Sequence, residues 1–428
     1  MRKHIRLTKK DNAMLQGEFG GAAKFAMSIL IRMADVYEAT ELMDITQAHI
    51  DSCALLSDSN LEFAEMLVSR GGHVSVPTTL NMIPLDLQNW ERLGVPLGFA
   101  VKAQRLAKAY TDMGCIPTWT CAPYQGYLTP RFGQQIAWGE SNAIVYANSV
   151  LGARTNRYGD FLDICAAITG RVPKVGLHLE ENRRGQILLR LVGISPLLFK
   201  NDLFYVALGQ LMGNITQNRI PVIEGLTENV TGDQLKALGA AAASFGAVAL
   251  FHAVGVTPEA NTLEEAFQGY APEKTIEIGP SDLQKAWNDL STGVEGTKLG
   301  AVVLGCPHFS FDEFRRLTQA IEEAKGHPRA PGVRFVVLTS QTSYALLQRS
   351  DFMNTLTEFG VEIVLDTCPF HSPFISPQTK TIMTNSGKFA YYAPGELSSH
   401  VVVGSIPDCV RSAVAGTVIR EELRWSVS

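Results

Sequence analysis

LGAVVLGCPHFS, residues 299–310, is an apolar run with no alternation that stops at a cysteine, a proline and a group of polar side chains. Two later segments repeat the pattern. VRFVVLTS (Val333–Ser340) is followed by helical spacing from Thr342 to Arg349, and EIVLDTC (Glu362–Cys368) leads into another proline. The helix Phe311–Ala324 separates the first two runs. Strands apolar on both faces, alternating with helices, predict a parallel sheet covered on both sides. In such a sheet the ligand-bearing loops lie beyond the carboxyl ends of the strands.

Upstream, the reading is less regular. Thr8 to about Gly71 reads as helical, with Gly17, Gly20 and Gly21 interrupting the spacing. His73–Asn81 alternates like a strand, Leu97–Met113 reads as a helix, Gly114–Gly133 as a loop and Trp138–Leu151 as a helix. From Val172 the pattern turns to short β-rich runs, Val175–Glu180 and Ile187–Ile194. Leu203–Met212 reads as a helix and IPVIEG as a strand, and Ala266–Leu290 gives turn, strand and a helix capped by Ser281. The fold class is α/β, with three regions: 1–185, α-rich to mixed; 186–295, a central α/β part; and 296–428, a C-terminal α/β part.

The chain has 428 residues, long enough for two or three cores. Hydrophobic residues make up 46% and charged residues 18%, a globular balance rather than a disordered one. Its 37 basic and 42 acidic residues are dispersed, which predicts neither nucleic acid nor a membrane surface as partner. The basic start, Met1–Lys10, lacks the apolar core of a secretion signal. Leu238–Val256 lacks formal charge for nineteen residues, but it is dominated by Ala and Gly. A close-packed helix (Gln234–Phe245) running into a buried strand (Ala247–Val254) accounts for it without a membrane.

Seven cysteines stand at 53, 115, 121, 165, 306, 368 and 409, with no CxxC pair. The odd, scattered set predicts reduced thiols in the cytoplasm rather than a disulfide framework. Cys306 and Cys368 share one address, a Cys-Pro step at the end of an apolar strand, so one sheet rim would receive two thiolates. Free cysteines are commonly just small buried hydrophobes, and that reading stands beside the ligand one. His308 and His371 follow closely, which keeps a Cys/His zinc site open. Cys121 in TCAPY and Cys115 compete as a third ligand, whereas Cys165 and Cys409 read as structural.

A polar helix completes the candidates. In GESNAIVYANSVLGARTN (Gly139–Asn156), Ser141, Asn148 and Ser149 share a face through i, i+7, i+8 spacing, with Glu140 at the start and Arg154 beyond the end. The alternative is a polar terminus in which Asn148 and Arg154 tie down backbone. HLEENRR (His178–Arg184) suits either a site or ion pairs between domains.

Taken together, GHVSVPTTLN, TCAPYQGYLTPRFGQQIAWGESNAIVYANSVLGARTN, HLEENR, VALFHAVGVTPEA, VVLGCPHFS, VLDTCPF and MTNSGKFAYYAPG resemble the large subunit of the aconitase X family, over nearly the whole chain. The resemblance implies several α/β/α domains with mostly parallel sheets and a cluster at the domain junction. It implies a hydro-lyase whose iron or iron–sulfur cluster is held by Cys121, Cys306 and Cys368, favouring Cys121 over Cys115. A 2Fe–2S cluster is the first expectation, with 4Fe–4S or mononuclear iron as alternatives.

The resemblance further implies Glu140, Ser141 and Lys388 as catalytic, and Ser52, Cys53, Thr79, Asn81, Asn148 and Arg154 around the substrate. Glu140 would serve as acid/base or bind a ring nitrogen, and Lys388 would hold the substrate carboxylate. Two substrates are implied for the family, cis-3-hydroxy-L-proline and mevalonate 5-phosphate. HIDSCALLSD (His49–Asp58), where the phosphate-type members read like HVSGVSY, favours the first. A small swivelling subunit, absent from this sequence, would complete the site and can carry the catalytic base. A metal-binding scaffold without catalysis is the rival of a different class.

Overall fold

A computed structural model describes residues 5–324, 326–421 and 425, and the chain divides into two compact units, Met1–Arg184 and Gly185–Ser428. In order, the first holds α1 (Lys9–Gln16), α2 (Gly21–Val36), β1 (Leu42–Asp44), β2 (Ala48–Ile50), α3 (Asp58–Ser69), β3 (Thr78–Leu80), α4 (Leu97–Asp112), β4 (Ala137–Trp138), α5 (Ser141–Ser149), α6 (Leu162–Thr169) and β5 (Arg171–Pro173).

Helix α1 starts where Thr8 and Asp11 cap each other reciprocally. Asp11 is also fully buried and forks onto Arg171 of β5, with Nε to Oδ1 at 2.9 Å. Helix α2 buries Ala22, Ala26 and Leu30 in a cluster shared with Ile164, Ala167 and Ile168 of α6. Every residue of α6 is buried, which explains its lack of a polar stripe. Strands β3, β2 and β4 form a parallel sheet in that order, and β1 pairs antiparallel with β5.

The second unit begins with β6 (Ile187–Leu191), α7 (Asp202–Thr216), β7 (Pro221–Glu224), α8 (Gly232–Gly246), β8 (His252–Ala253), α9 (Leu263–Ala266), β9 (Lys274–Ile278) and α10 (Pro280–Asp289). Its first sheet is parallel, ordered β8-β7-β6-β9. Helices α7 and α8 touch backbone to backbone: a Cβ on Gly246 would lie 1.9 Å from the Gly213 carbonyl oxygen, and one on Gly209 2.4 Å from that of Leu238. Only glycine fits those positions.

Then follow β10 (Ala301–Leu304), α11 (Phe311–Glu323), β11 (Arg334–Thr339), α12 (Gln341–Leu347), α13 (Phe352–Phe359), β12 (Val361–Leu365), β13 (Thr381–Thr384), α14 (Gly387–Glu396), β14 (His400–Val403) and α15 (Ile406–Ala415). The five strands are all parallel, ordered β12-β11-β10-β13-β14. Val302, Leu304, Phe335 and Val337 bury one sheet face against Phe314 and Leu317 of α11, Leu356 of α13 and Val410 of α15. Each such side chain contributes about 1.5–3 kcal/mol of transfer free energy.

The α/β class with mostly parallel sheets holds. Several local expectations do not. The nominally helical stretch Thr8–Gly71 contains β1 and β2, which are only three residues long and too short to show alternation. Val175–Glu180 is no strand but turns of 3-10 helix, Gly176–His178 and Glu180–Arg183, because Gly176 takes a φ of +59°. The strand expected over Ala247–Val254 shrinks to His252–Ala253. Helix α10 is capped by Gly279, with Pro280 in the first turn and Asp282 reaching back to the Gly279 N–H at 2.9 Å, rather than by Ser281. Among the described residues no helix is long and apolar enough to cross a membrane.

Candidate active site

In the second unit the chain order of the five-stranded sheet reverses between β10 and β13. That is the switch point at which open α/β sheets leave a crevice. Cys306 follows β10 on one side of it, and Asn385–Ser386–Gly387–Lys388 follows β13 on the other. Ser386 Oγ donates to the Cys306 carbonyl oxygen and accepts from the Phe389 N–H at 3.0 Å, so it caps α14 and ties the two loops together. Cys368 follows β12, and its neighbour Thr367 accepts at its carbonyl oxygen from His308 Nε2 at 2.9 Å. The Cys306 loop is thus fastened to the Cys368 loop.

Gly305 shapes the turn. Its φ is +91°, and a Cβ there would lie 2.0 Å from the Leu338 carbonyl oxygen. Behind the rim, a cavity of about 20 Å³, room for one water, is lined by Cys306, Ser386, Lys236 and Glu313. Lys236 of α8 is buried, ion-paired to Glu313 and, at 3.1 Å, to Asp233; it also donates to the His308 carbonyl oxygen at 3.4 Å. Burial, with the Lys388 ammonium nearby, pushes the His371 imidazole down to about 4.

In the first unit a second rim lies at the carboxyl ends of β2, β3 and β4, which deliver Asp51, Asn81 and Glu140. Asn81 Nδ2 donates to Asp51 Oδ1. Glu140 is buried at a φ of +65° and caps α5, accepting from the Ala143 N–H at 2.9 Å. Ser141 Oγ stands 3.5 Å from the other Glu140 oxygen. Burial, then the carboxylates of Glu140, Asp160 and Asp163, push the Asp51 carboxyl up to about 7. Burial raises Asp163 to about 6, although it accepts from the Asp51 N–H, the Ser52 N–H and Ser52 Oγ. Burial lowers His49, whose Nδ1 meets Thr79 Oγ1 at 2.8 Å, to about 3. The Cys121 loop joins this rim through Asn142, which donates to the Cys121 carbonyl oxygen at 2.9 Å.

The residues singled out in the sequence therefore fall into two groups. Cys306, Cys368 and Lys388 gather on the rim of the second unit; Cys121, Glu140, Ser141 and Asn81 gather on that of the first. Ser52, Cys53 and Thr79 lie beneath the latter, fully engaged with Asp163 and Tyr110, with backbone carbonyls, and with His49 respectively. Asn148 and Arg154 hold structure at the other end of α5. Asn148 bonds both the N–H and C=O of Thr155 and accepts from buried Arg183 at 3.1 Å, and Arg154 pairs with Glu180. HLEENRR accordingly closes ion pairs and hydrogen bonds inside the first unit. Asp51 and Asp163 escaped the sequence reading. The signal available was their chemistry at a strand end and in a wholly apolar helix.

Do these residues suit an iron–sulfur group? Thiols at strand ends are the donor type such clusters take. Beside Cys368, Thr367 Oγ1 and Ser372 Oγ are buried without a hydrogen-bond partner among the described residues, which leaves polar atoms for a further group to meet. None of the seven cysteines is in a disulfide. Among the described residues no set of three or more His, Cys, Asp or Glu is arranged to hold a metal ion.

Family models described as the first, second and third domains of aconitase X match residues 4–181, 185–288 and 299–415. The chain belongs to the aconitase X family. It is 43% identical over 414 residues to a cis-3-hydroxy-L-proline dehydratase of Pseudomonas aeruginosa, covering 96% of this chain and 70% of that protein. It is 36% identical to a phosphomevalonate dehydratase large subunit of Methanocaldococcus jannaschii, covering 95% and 99%. The crystal structure of the holo-form of Thermococcus kodakaraensis aconitase X superposes with a TM-score of 0.85 at 31% identity, covering 96% of this chain and all of that one. Membership of the aconitase X family suggests an iron–sulfur cofactor.

Proposed function

We propose that this aconitase X chain is the large subunit of a cis-3-hydroxy-L-proline dehydratase, working in the cytoplasm with a small swivelling subunit. The observation that carries the reading is 43% identity, over 96% of the chain, to a relative of that name, against 36% for the phosphomevalonate enzyme. The relatives named as large subunits support a two-part enzyme. The three regions, 1–185, 186–295 and 296–428, would act as its domains.

The reaction breaks the C2–H and C3–O bonds of the substrate, forms the C2–C3 double bond and releases water; the enamine then tautomerises to Δ1-pyrroline-2-carboxylate. When bound by Cys121, Cys306 and Cys368, the iron–sulfur group, of 2Fe–2S type, supplies a Lewis acid for the departing hydroxyl. Lys388, at the start of α14, holds the substrate carboxylate, on which negative charge grows as the C2 proton leaves. Glu140 holds or moves a proton at one carboxylate oxygen while the Ala143 N–H fixes the other, and Ser141 orients it. Ser52, Cys53, Thr79, Asn148 and Arg154 act by positioning these groups.

The test is co-expression with the small subunit and assay of both substrates. Turnover of cis-3-hydroxy-L-proline and not of mevalonate 5-phosphate is expected, with none from the isolated chain. Cys121→Ser, Cys306→Ser and Cys368→Ser should each lose bound iron by elemental analysis. Retention of full iron by all three would refute the ligand set.

A further inference from the structure

The first-unit rim contains a feature the reaction scheme leaves unused. Asp51 leaves β2 beside Asn81, which leaves β3, and the two side chains meet through Asn81 Nδ2 and Asp51 Oδ1. That contact uses the donor end of the Asn81 amide. The acceptor end, Oδ1, is buried on a residue 1% exposed and has no hydrogen-bond partner among the described residues. A buried amide oxygen left without a donor is unfavourable, so its placement calls for a ligand N–H or O–H.

Asp51 is itself half-buried, as is Asp160, whereas Asp163 and Glu140 are buried. Its position is built rather than incidental. The Asp51 N–H donates to Asp163 Oδ2 at 2.7 Å, and the Asn81 N–H donates to the Ile50 carbonyl oxygen at 2.8 Å. Gly139 packs against it so closely that a Cβ there would lie 2.7 Å from the Asp51 Cβ. A side chain at 139 would fill the space the Asp51 backbone needs. The carboxylates of Glu140, Asp160 and Asp163 surround the group with negative potential.

We propose that Asp51 and the Asn81 amide oxygen are the acceptor pair for the ring ammonium of a cyclic secondary amino acid. A secondary ammonium carries two N–H donors and one positive charge. It therefore supplies one bond to a carboxylate and one to a neutral oxygen, and it neutralises the concentrated negative charge. A phosphate, which is anionic and rich in acceptors, meets repulsion at the same place. Asp51 is thus a substrate-selecting residue, and this role rests on the dehydratase reading given above.

The experiment uses the complex of this chain with its small subunit and two probes measured by titration calorimetry. L-proline carries the ring ammonium; (S)-tetrahydrofuran-2-carboxylate replaces it with an ether oxygen in the same ring. The unaltered complex should bind L-proline roughly 10-fold to 100-fold more tightly, as expected for a hydrogen-bonded charge. Asp51→Asn and Asp51→Ser should each bring that ratio below about 3-fold while leaving the tetrahydrofuran acid within about 3-fold of its original affinity, since only the charged pairing is lost. Equal binding of the two probes by the unaltered complex overturns the proposal, and so does an unchanged ratio in a folded Asp51 variant. Turnover of cis-3-hydroxy-L-proline, measured alongside, separates the two claims. Selective binding without turnover refutes the reaction but upholds the ammonium site, and turnover with equal binding does the reverse.

Discussion

The Ser386 hydroxyl bonds the carbonyl oxygen of Cys306, joining the loops that leave two neighbouring strands of one parallel sheet. The same oxygen caps α14, the helix that carries Lys388. A single hydroxyl thus sets where a thiol and a lysine stand relative to each other.

Ser386→Ala should therefore do two things. Loss of the cap costs about 1 kcal/mol, read as a lower urea midpoint. Release of the Cys306 loop should raise the alkylation rate of its thiol in the metal-free protein, which a merely weakened helix elsewhere would not do.

A larger loss is expected at Asp11. Its carboxylate is fully buried, forks onto Arg171 and caps α1. Asp11→Ala leaves a guanidinium nearly buried and half-satisfied, at a cost of about 3–5 kcal/mol. Calorimetry should show an early transition from the first unit, with that of the second unit unmoved.

Lys236 poses the opposite problem, a buried cation shared by Asp233 and Glu313. Lys236→Met should destabilise by about 3 kcal/mol or more, because two carboxylates lose their counter-charge. Adding Glu313→Gln should recover part of that loss, and the non-additivity is measured by a double-mutant cycle.

Acid stability should follow Asp51. Its carboxyl rises from an ordinary 3.8 to about 7 in the folded protein. Between those values the folded state keeps a proton that the unfolded state has lost, so stability falls as pH rises from about 4 to about 7 and then levels. The slope approaches roughly 1.4 kcal/mol per pH unit for one such group. Asp51→Asn should flatten that fall and be the more stable protein at pH 8, as read by thermal melts across pH.

Three of the five strands of the C-terminal sheet, β10, β11 and β12, were legible because they are continuous apolar runs; β13 and β14, four residues each, were not. Cys306 and Cys368 announced themselves by repeating one address. In the first unit the strands are two or three residues long, so neither β2 nor β4 could show a period, and Asp51 and Glu140 gave no sign of sharing a rim. The polar wealth of Glu140–Asn156 was visible, but its division was not. Glu140 and Ser141 face the rim, whereas Asn148 spends its amide on Thr155, seven residues on, and on Arg183, thirty-five residues on. Val175–Glu180 misled because alternation looks the same in a strand and in short 3-10 turns opened by a left-handed glycine.

The glycine crossing of α7 and α8 reaches further than its own seam. With Gly246 resting on the Gly213 backbone, the two helices have no side-chain cushion across which to slide. Helix α8 carries Lys236 to the loop of Cys306, so that seam serves as a hard stop for the thiol's depth in the sheet. Amide protons along it should be among the last to exchange with deuterium. Even a single methyl group there would be felt at the sulfur, several turns away.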